Sequence, residues 1–379
     1  MKIQMVDLKG QYMKIKAEVD AAIQDVINNT TFINGAAVKD FCENLRSYTE
    51  CRHVITCANG TDALQIALMS LGLRPGDEVI VPAFTYVASA EVIGLLGLTP
   101  VMVDVDYNTF NVTIDNIKKG LTDKTKAIIP VHLFGQSCDM EPILVFAKEH
   151  GLFVLEDNAQ AIGAEYTYED GHQKKTGTMG IIGCTSFFPS KNLGCYGDGG
   201  AIFCKDDVLA ERLRMIANHG QRVKYHHEII GCNSRLDTIQ AAILNVKLKH
   251  IDEYGQARRN AAHYYTEQLK AFDPEQQYFV TPVELDKSTH VYHQYTLKIK
   301  NGKRDALKQY MAEVGIPSMI YYPLPLQEQE AFKPIARAGG SLNVAKELAD
   351  SVLSLPIHTE MTKEMQDLVI DSVICFFKR

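Results

Sequence analysis

Phe153-Val154-Leu155-Glu156-Asp157-Asn158-Ala159-Gln160 is an apolar run that drives straight into two acids. Upstream of it, Met140–His150 has the apolar spacing of a helix, and Ala127–Leu133 is another short run of Ile and Val. Strand, crossover helix, strand is the repeating unit of a parallel sheet. The alternation extends from about residue 53 to 205, with further runs at His53–Cys57, Glu78–Val81, Pro100–Val105, Cys184–Phe187 and Gly200–Cys204, and a helical stretch at Thr61–Leu71. These runs predict seven buried strands in an α/β domain with a mostly parallel sheet. In such sheets ligands bind beyond the carboxyl ends of the strands, so the residues after each run come first.

The flanking sequence is different in kind. Helices are expected at Asp207–Ala217 and Ser234–Ala262, the second long enough to bridge two domains. After about residue 270 the pattern predicts a strand at Tyr292–Lys300, a helix at Lys303–Val314, a short strand at Ser318–Tyr322 and a helix at Leu342–Leu353. This gives a large domain over 1–255 and a small C-terminal α+β domain over 256–379.

Composition narrows the class. The 379 residues are 46% hydrophobic and 22% charged, the balance of a globular chain rather than a disordered one. Thirty-nine Lys and Arg against 46 Asp and Glu give −7, with no long run of one sign, so neither nucleic acid nor an anionic membrane is an expected partner. Nine scattered cysteines without a CxxC pair predict reduced thiols. The opening Met1-Lys2-Ile3-Gln4-Met5-Val6-Asp7 meets an acid too early for a signal-peptide core, and Val92–Val103 is too short and too interrupted to span a membrane; a cytoplasmic location is expected.

Three strand ends carry chemistry. In Cys57-Ala58-Asn59-Gly60-Thr61-Asp62-Ala63-Leu64 a strand ends at a glycine turn and a helix begins, which can hold a phosphate on free backbone N–H groups or can be an ordinary capped turn. Asp157, at the end of a buried strand, needs a cation or a protonated ring nitrogen, unless it caps the next helix. Lys191 follows another strand, Gly183-Cys184-Thr185-Ser186-Phe187, and precedes four glycines within seven residues (194, 197, 199 and 200). Desolvation there would lower its pKa and leave an amine ready to form an imine; the plain alternative is an exposed loop lysine. Phosphate turn, acid and lysine, in that order in one α/β domain, are the three partners that pyridoxal 5′-phosphate requires.

The same residues resemble a known family, the fold-type-I pyridoxal-phosphate aminotransferases of the DegT/StrS type, which act on keto sugars of nucleotide sugars. The resemblance runs through Ala58-Asn59-Gly60-Thr61-Asp62-Ala63-Leu64, Pro82-Ala83-Phe84-Thr85-Tyr86-Val87-Ala88, Glu156-Asp157-Asn158-Ala159-Gln160, Ser190-Lys191, Gly231-Cys232-Asn233-Ser234-Arg235 and Tyr322-Pro323 to Ser354-Leu355-Pro356. It implies that Lys191 carries the cofactor aldehyde, that Asp157 partners the pyridine nitrogen, that Gln160 contacts the ring hydroxyl and that Tyr86 stacks on the ring. Gly60, Thr61 and Ser186 would hold the phosphate, joined by Asn233 from the second subunit of a homodimer. Arg235, Tyr321 and Tyr322 would face the sugar nucleotide. Within the family the likeness is strongest to enzymes that aminate C3 of UDP-2-acetamido-2-deoxy-3-oxo-glucuronic acid, for cell-surface polysaccharide precursors of the O-antigen type. Ser186-Phe187-Phe188-Pro189-Ser190-Lys191 and His219-Gly220-Gln221 with Tyr225-His226-His227 suggest this. Two positions depart from the family: Tyr321 stands where relatives commonly have His, and Asn158 where they commonly have Ala.

On this reading L-glutamate gives its amino group and leaves as 2-oxoglutarate, with the freed Lys191 amine moving the proton. An aminotransferase for a 3- or 4-keto-6-deoxyhexose nucleotide is the alternative substrate reading. A cofactor-bound regulator without catalysis is the alternative of another class. A sugar 3-dehydratase on the same scaffold carries His in place of the lysine, so Lys191 argues against it. His226-His227 has no partner at zinc-ligand spacing, and Cys195 has no base, so neither a metal centre nor a thiol nucleophile is expected.

Overall fold

The computed structural model describes residues 3–379. All seven expected strands lie in one sheet. Its spatial order is His53–Cys57, Gly200–Cys204, Ile182–Ser186, Phe153–Asp157, Thr125–Ile128, Glu78–Pro82, Thr99–Val103, then an eighth strand, Arg337–Ala338. Every strand runs in the same direction except Gly200–Cys204, which is antiparallel to both neighbours. The central strands are buried on both faces, as with Val79, Ile80 and Val81, and this explains their continuous apolar reading. The run Ala127–Leu133 is strand only to Ile128, after which Val131 makes a single bridge to Asp157.

Helices cover both faces. Gly60–Ser70 and Met140–Glu149 are the expected crossovers within a residue of their predicted ends. Leu8–Asn28 and Ala36–Thr49 pack on Thr238–Leu248. Phe41 is fully buried there, with its ring edge-on to Phe187 at 5.3 Å between centroids, so the Ala36–Thr49 helix supports the strand that leads to Lys191.

The expected long helix over Ser234–Ala262 is two helices, Thr238–Leu248 and Ile251–Phe272, broken at Lys249-His250. Ile251 packs in the core beneath the sheet while Tyr265 and Leu269 pack in a second core. That second core surrounds a three-stranded antiparallel sheet of Phe279–Val280, Tyr295–Ile299 and Val352–Leu355, flanked by Arg304–Glu313 and Lys363–Phe377. The helix expected over Leu342–Leu353 is Asn343–Ser351, and its last residues become the strand. Ser318–Tyr322 is not a strand; only Met319 bridges to Ser354. No helix among the described residues is long and apolar enough to cross a membrane.

Candidate active site

Four strand ends and their following turns converge on one cavity of about 660 Å³, within the usual size range for a small-molecule site. Its wall includes Gly60, Thr61, Tyr86, Asp157, Gln160, Ser186, Lys191, Tyr321 and Tyr322. Of the residues expected at the site, only Asn233 and Arg235 are not on this wall; Asn233 is exposed and Arg235 partly so.

The anion cup is built by close approach. Asn59 caps the Gly60–Ser70 helix, its side-chain oxygen accepting from the Asp62 N–H at 2.8 Å, which leaves the Gly60 and Thr61 N–H groups without a partner among the described residues. A Cβ on Gly60 would lie 2.7 Å from Ser186 Cβ, so glycine is what lets this helix end meet the Ser186 hydroxyl. Ser234 braces the turn by accepting from the Ala58 N–H at 2.9 Å and donating to Asp62 at 2.6 Å. Free N–H groups and a hydroxyl around a helix N-terminus suit a phosphate.

The two acids point to opposite faces of their strand, as adjacent strand residues must. Glu156 is fully buried away from the cavity, accepting from His132 Nε2 at 2.9 Å and from the N–H groups of Gly177, Met179 and Gly180 at 2.8, 2.6 and 2.6 Å. Burial opposes its ionisation, but these bonds hold its carboxyl below the usual range. Asp157 faces the cavity. Its Oδ2 accepts from Ser89 Oγ at 2.7 Å and its Oδ1 from the Ala159 N–H at 3.1 Å, so the carboxylate is fixed in orientation. Ser89 was not foreseen from the sequence; Thr85, four residues earlier in the bend before the helix and 3.2 Å from it, is the only local signal.

Lys191 emerges from a loop tied by its own N–H to Phe188 O at 2.8 Å and by the next residue, Asn192, whose side-chain N–H donates to Val291 O at 2.8 Å. Burial of its ammonium lowers its pKa to about 8, against the pull of Asp157 in the other direction. This is the poised amine that an imine-forming lysine requires. Gln160 accepts from the Phe134 N–H at 2.7 Å and donates to Tyr322 OH at 3.1 Å, leaving one amide N–H for a ligand. Tyr86 is 55% exposed and its ring lies 6.1 Å from that of Tyr322, so it is free to cover a planar group. Cys195 is buried, its thiol donating to Phe187 O and Gly197 O, and burial raises its pKa to about 11. It ties the glycine loop together and stays a protonated thiol at neutral pH.

A phosphate cup, a cavity-facing carboxylate and a desolvated lysine at the carboxyl edge of this sheet define a pyridoxal-phosphate enzyme of fold type I, and the donors present fit that group. The chain belongs to the DegT/DnrJ/EryC1/StrS aminotransferase family, which it matches over residues 13–374. It is 45% identical to a "Pleiotropic regulatory protein" of Geobacillus stearothermophilus over 100% of this chain and 99% of that one. It is 44% identical to the UDP-2-acetamido-2-deoxy-3-oxo-D-glucuronate aminotransferase of Pseudomonas aeruginosa over 94% of this chain and 95% of that one. Other relatives are named for a UDP-linked 3-dehydro-glucosamine, for dTDP-linked amino sugars and for GDP-perosamine. Among solved structures, S. venezuelae DesV in complex with a ketimine intermediate superposes with a TM-score of 0.94 at 38% identity, covering 100% of this chain and 99% of that one. NtdA of Bacillus subtilis, solved with its cofactor PMP, superposes at 0.88 with 31% identity over 97% of this chain and 82% of that one. The chain is therefore a sugar aminotransferase that uses pyridoxal 5′-phosphate.

Proposed function

We propose that the enzyme moves the amino group of L-glutamate to C3 of UDP-2-acetamido-2-deoxy-3-oxo-glucuronic acid, in the cytoplasm, on the way to a cell-surface polysaccharide precursor. The observation that carries this reading is the near full-length likeness to a relative named for that substrate, joined to a cavity that keeps the whole lysine, acid and phosphate-cup set. The relative named for UDP-N-acetyl-3-dehydro-glucosamine, 42% identical, supports a UDP-linked 3-keto sugar.

When bound, pyridoxal 5′-phosphate supplies the electron sink. The protein's part is positional and acid–base. Gly60, Thr61 and Ser186 hold the phosphate, and Asn233 of a second copy closes that cup. Asp157 keeps the pyridine nitrogen protonated, a charge-assisted bond worth about 1.5–3 kcal/mol. Gln160 takes the ring hydroxyl and Tyr86 covers the ring. Lys191, with a pKa near 8, would hold the aldehyde, and as a free amine it would take and return the proton at the substrate carbon. Arg235, Tyr321 and Tyr322 face the sugar nucleotide. Phe32, Ile33, Tyr225 and Ile230 are exposed apolar side chains that a second copy would cover. We place the boundary between large and small domains near residue 255, in the first turns of Ile251–Phe272.

The test is to load purified enzyme with glutamate, offer the UDP-linked 3-keto uronate and a 4-keto-6-deoxyhexose nucleotide separately, and identify the product by mass spectrometry and NMR. Amination of the uronate at C3 is expected. Amination of only the 4-keto sugar would overturn the substrate and favour the reading that the dTDP- and GDP-named relatives support. A regulator without catalysis, as the name of the Geobacillus relative suggests, predicts a visible cofactor band that glutamate does not bleach.

A further inference from the structure

His293 shares the cavity wall with Lys191 and has no part in the roles above. It lies on His290–Gln294, the segment that leaves the second core and enters the site. That segment is clamped from every side. The Val291 N–H donates to Gly135 O at 2.8 Å, and Asn192, the neighbour of Lys191, donates to Val291 O at 2.8 Å. The buried Arg258 donates to Tyr292 O at 3.0 Å and to His293 O at 3.5 Å, with no carboxylate partner among the described residues. Two bulky residues at this junction hold left-handed backbone, Phe134 at φ 59° and Tyr292 at φ 43°. A Cβ at Gly135 would stand 2.9 Å from the His293 backbone nitrogen, so glycine is required for the approach. Backbone of this kind persists only where the surroundings over-determine it, and here it fixes the backbone from which His293 projects.

That imidazole is 5% exposed, and neither ring nitrogen bonds another protein group among the described residues; Nδ1 is fully buried without a partner. Buried polar groups are rarely left so. The charges facing it are the Lys191 and Arg258 cations, and the acids on the cavity wall are Asp62, Asp157 and Asp198. Burial, then those two cations, hold its pKa well below the ordinary value, so the ring is neutral and keeps a lone pair.

We propose that His293 is a positioning residue for Lys191: the two do not bond in the orientation seen here, and the imidazole accepts a hydrogen bond from the Lys191 amine once that amine is released from the cofactor and turns along the shared cavity wall. The inference rests on Lys191 being the lysine that binds the cofactor. A released lysine has four rotatable bonds, and proton transfer needs its nitrogen within about 3 Å of the reacting carbon. A carboxylate in this place would orient the amine but hold it as ammonium, whereas a neutral ring orients it and leaves it basic.

The test uses His293→Phe, His293→Asn and His293→Ala in the full-length protein. Two quantities are read: the single-turnover rate at which glutamate bleaches the visible band, and, in cofactor-free protein, the pH midpoint for labelling of Lys191 by an amine-reactive reagent, followed by mass spectrometry. His293→Phe should slow the single turnover by about 10²-fold with little change in glutamate KM, and move the labelling midpoint down by about half a unit. His293→Asn, which still accepts a hydrogen bond, should recover most of both, and added imidazole should rescue His293→Ala if the Phe variant does not fold. An unchanged rate and midpoint in His293→Phe would overturn the proposal. So would a slower rate that follows only lost cofactor or lost stability, with the midpoint unmoved. If the wild-type band does not respond to glutamate, the aminotransferase reading fails by itself, and the labelling midpoint still reports on the contact between His293 and Lys191.

Discussion

Replacing Lys191 by Met should abolish turnover and the visible band of the lysine-bound cofactor, and should also make the cofactor-free protein more stable. The lysine pKa falls from 10.5 to about 8 on folding, chiefly by desolvation. Each unit is 1.36 kcal/mol, so charging this side chain in the folded state costs roughly 3 kcal/mol below pH 8. The sign follows from linkage. A lysine with a depressed folded pKa binds fewer protons in the folded state than in the unfolded one between pH 8 and 10.5. Wild-type stability from this group is therefore fully present above pH 10.5 and is lost as pH falls through 8. Lys191→Met removes the penalty, and the remaining Asp157 keeps its two hydrogen-bond donors. Denaturant unfolding of cofactor-free wild type and variant, at one protein concentration, should show the variant ahead by roughly 3 kcal/mol at pH 7 and by much less at pH 10. Equal stability at pH 7, or a gain that does not shrink with pH, would refute a desolvated lysine.

Three other substitutions address the support of the site. Ser89→Ala takes from Asp157 a hydrogen bond worth about 1.5–3 kcal/mol, and we expect kcat to fall about tenfold in steady-state assays with cofactor still bound. Gly60→Ala drives a Cβ into Ser186 and should weaken cofactor affinity by about tenfold or more in a fluorescence titration, since the helix end must back away from the phosphate. If Asn233 completes the neighbouring site, mixing inactive Lys191→Ala and Asn233→Ala subunits should restore about a quarter of native sites, because each mixed dimer holds one intact site. Absence of restored activity on confirmed subunit exchange would count against shared sites.

The strands were legible because a parallel sheet covered by helices imposes unbroken apolar runs, and the candidate residues were legible because they follow those runs. The eighth strand was not. Arg337–Ala338 has no apolar signal of its own; it is held on the sheet edge by Arg337, which donates to the buried Glu78 at 3.1 and 2.8 Å and to Gly120 O at 2.7 Å. A contact between residues 78 and 337 leaves no local trace. The break at Lys249-His250 was hidden for a related reason, since neither residue is a helix breaker and the turn is set by the two cores that the flanking helices serve. Ser89 was missed because it acts from a buried helix position through Asp157, and His293 because it reaches the cavity from a segment whose own pattern concerns packing.

Glu156 and Asp157 separate what a strand end does for the fold from what it does for the chemistry. Both are buried acids, but Glu156 spends all its lone pairs on protein donors and Asp157 keeps one direction for the cavity. Glu156→Gln turns an amide N–H toward groups that are themselves donors, so at least one buried bond becomes a repulsive contact. We expect a stability loss of about 3 kcal/mol, visible as a lower melting temperature, with kcat changed little in the protein that remains folded. Asp157→Asn keeps the Ser89 bond and the fold, and loses the charge that favours a protonated pyridine; 1.5–3 kcal/mol corresponds to a loss of about 10- to 150-fold in kcat, read at unchanged melting temperature. If the two phenotypes were exchanged, the faces assigned to these neighbouring acids would be wrong, and Lys191 would have its electrostatic partner on the other side of the sheet.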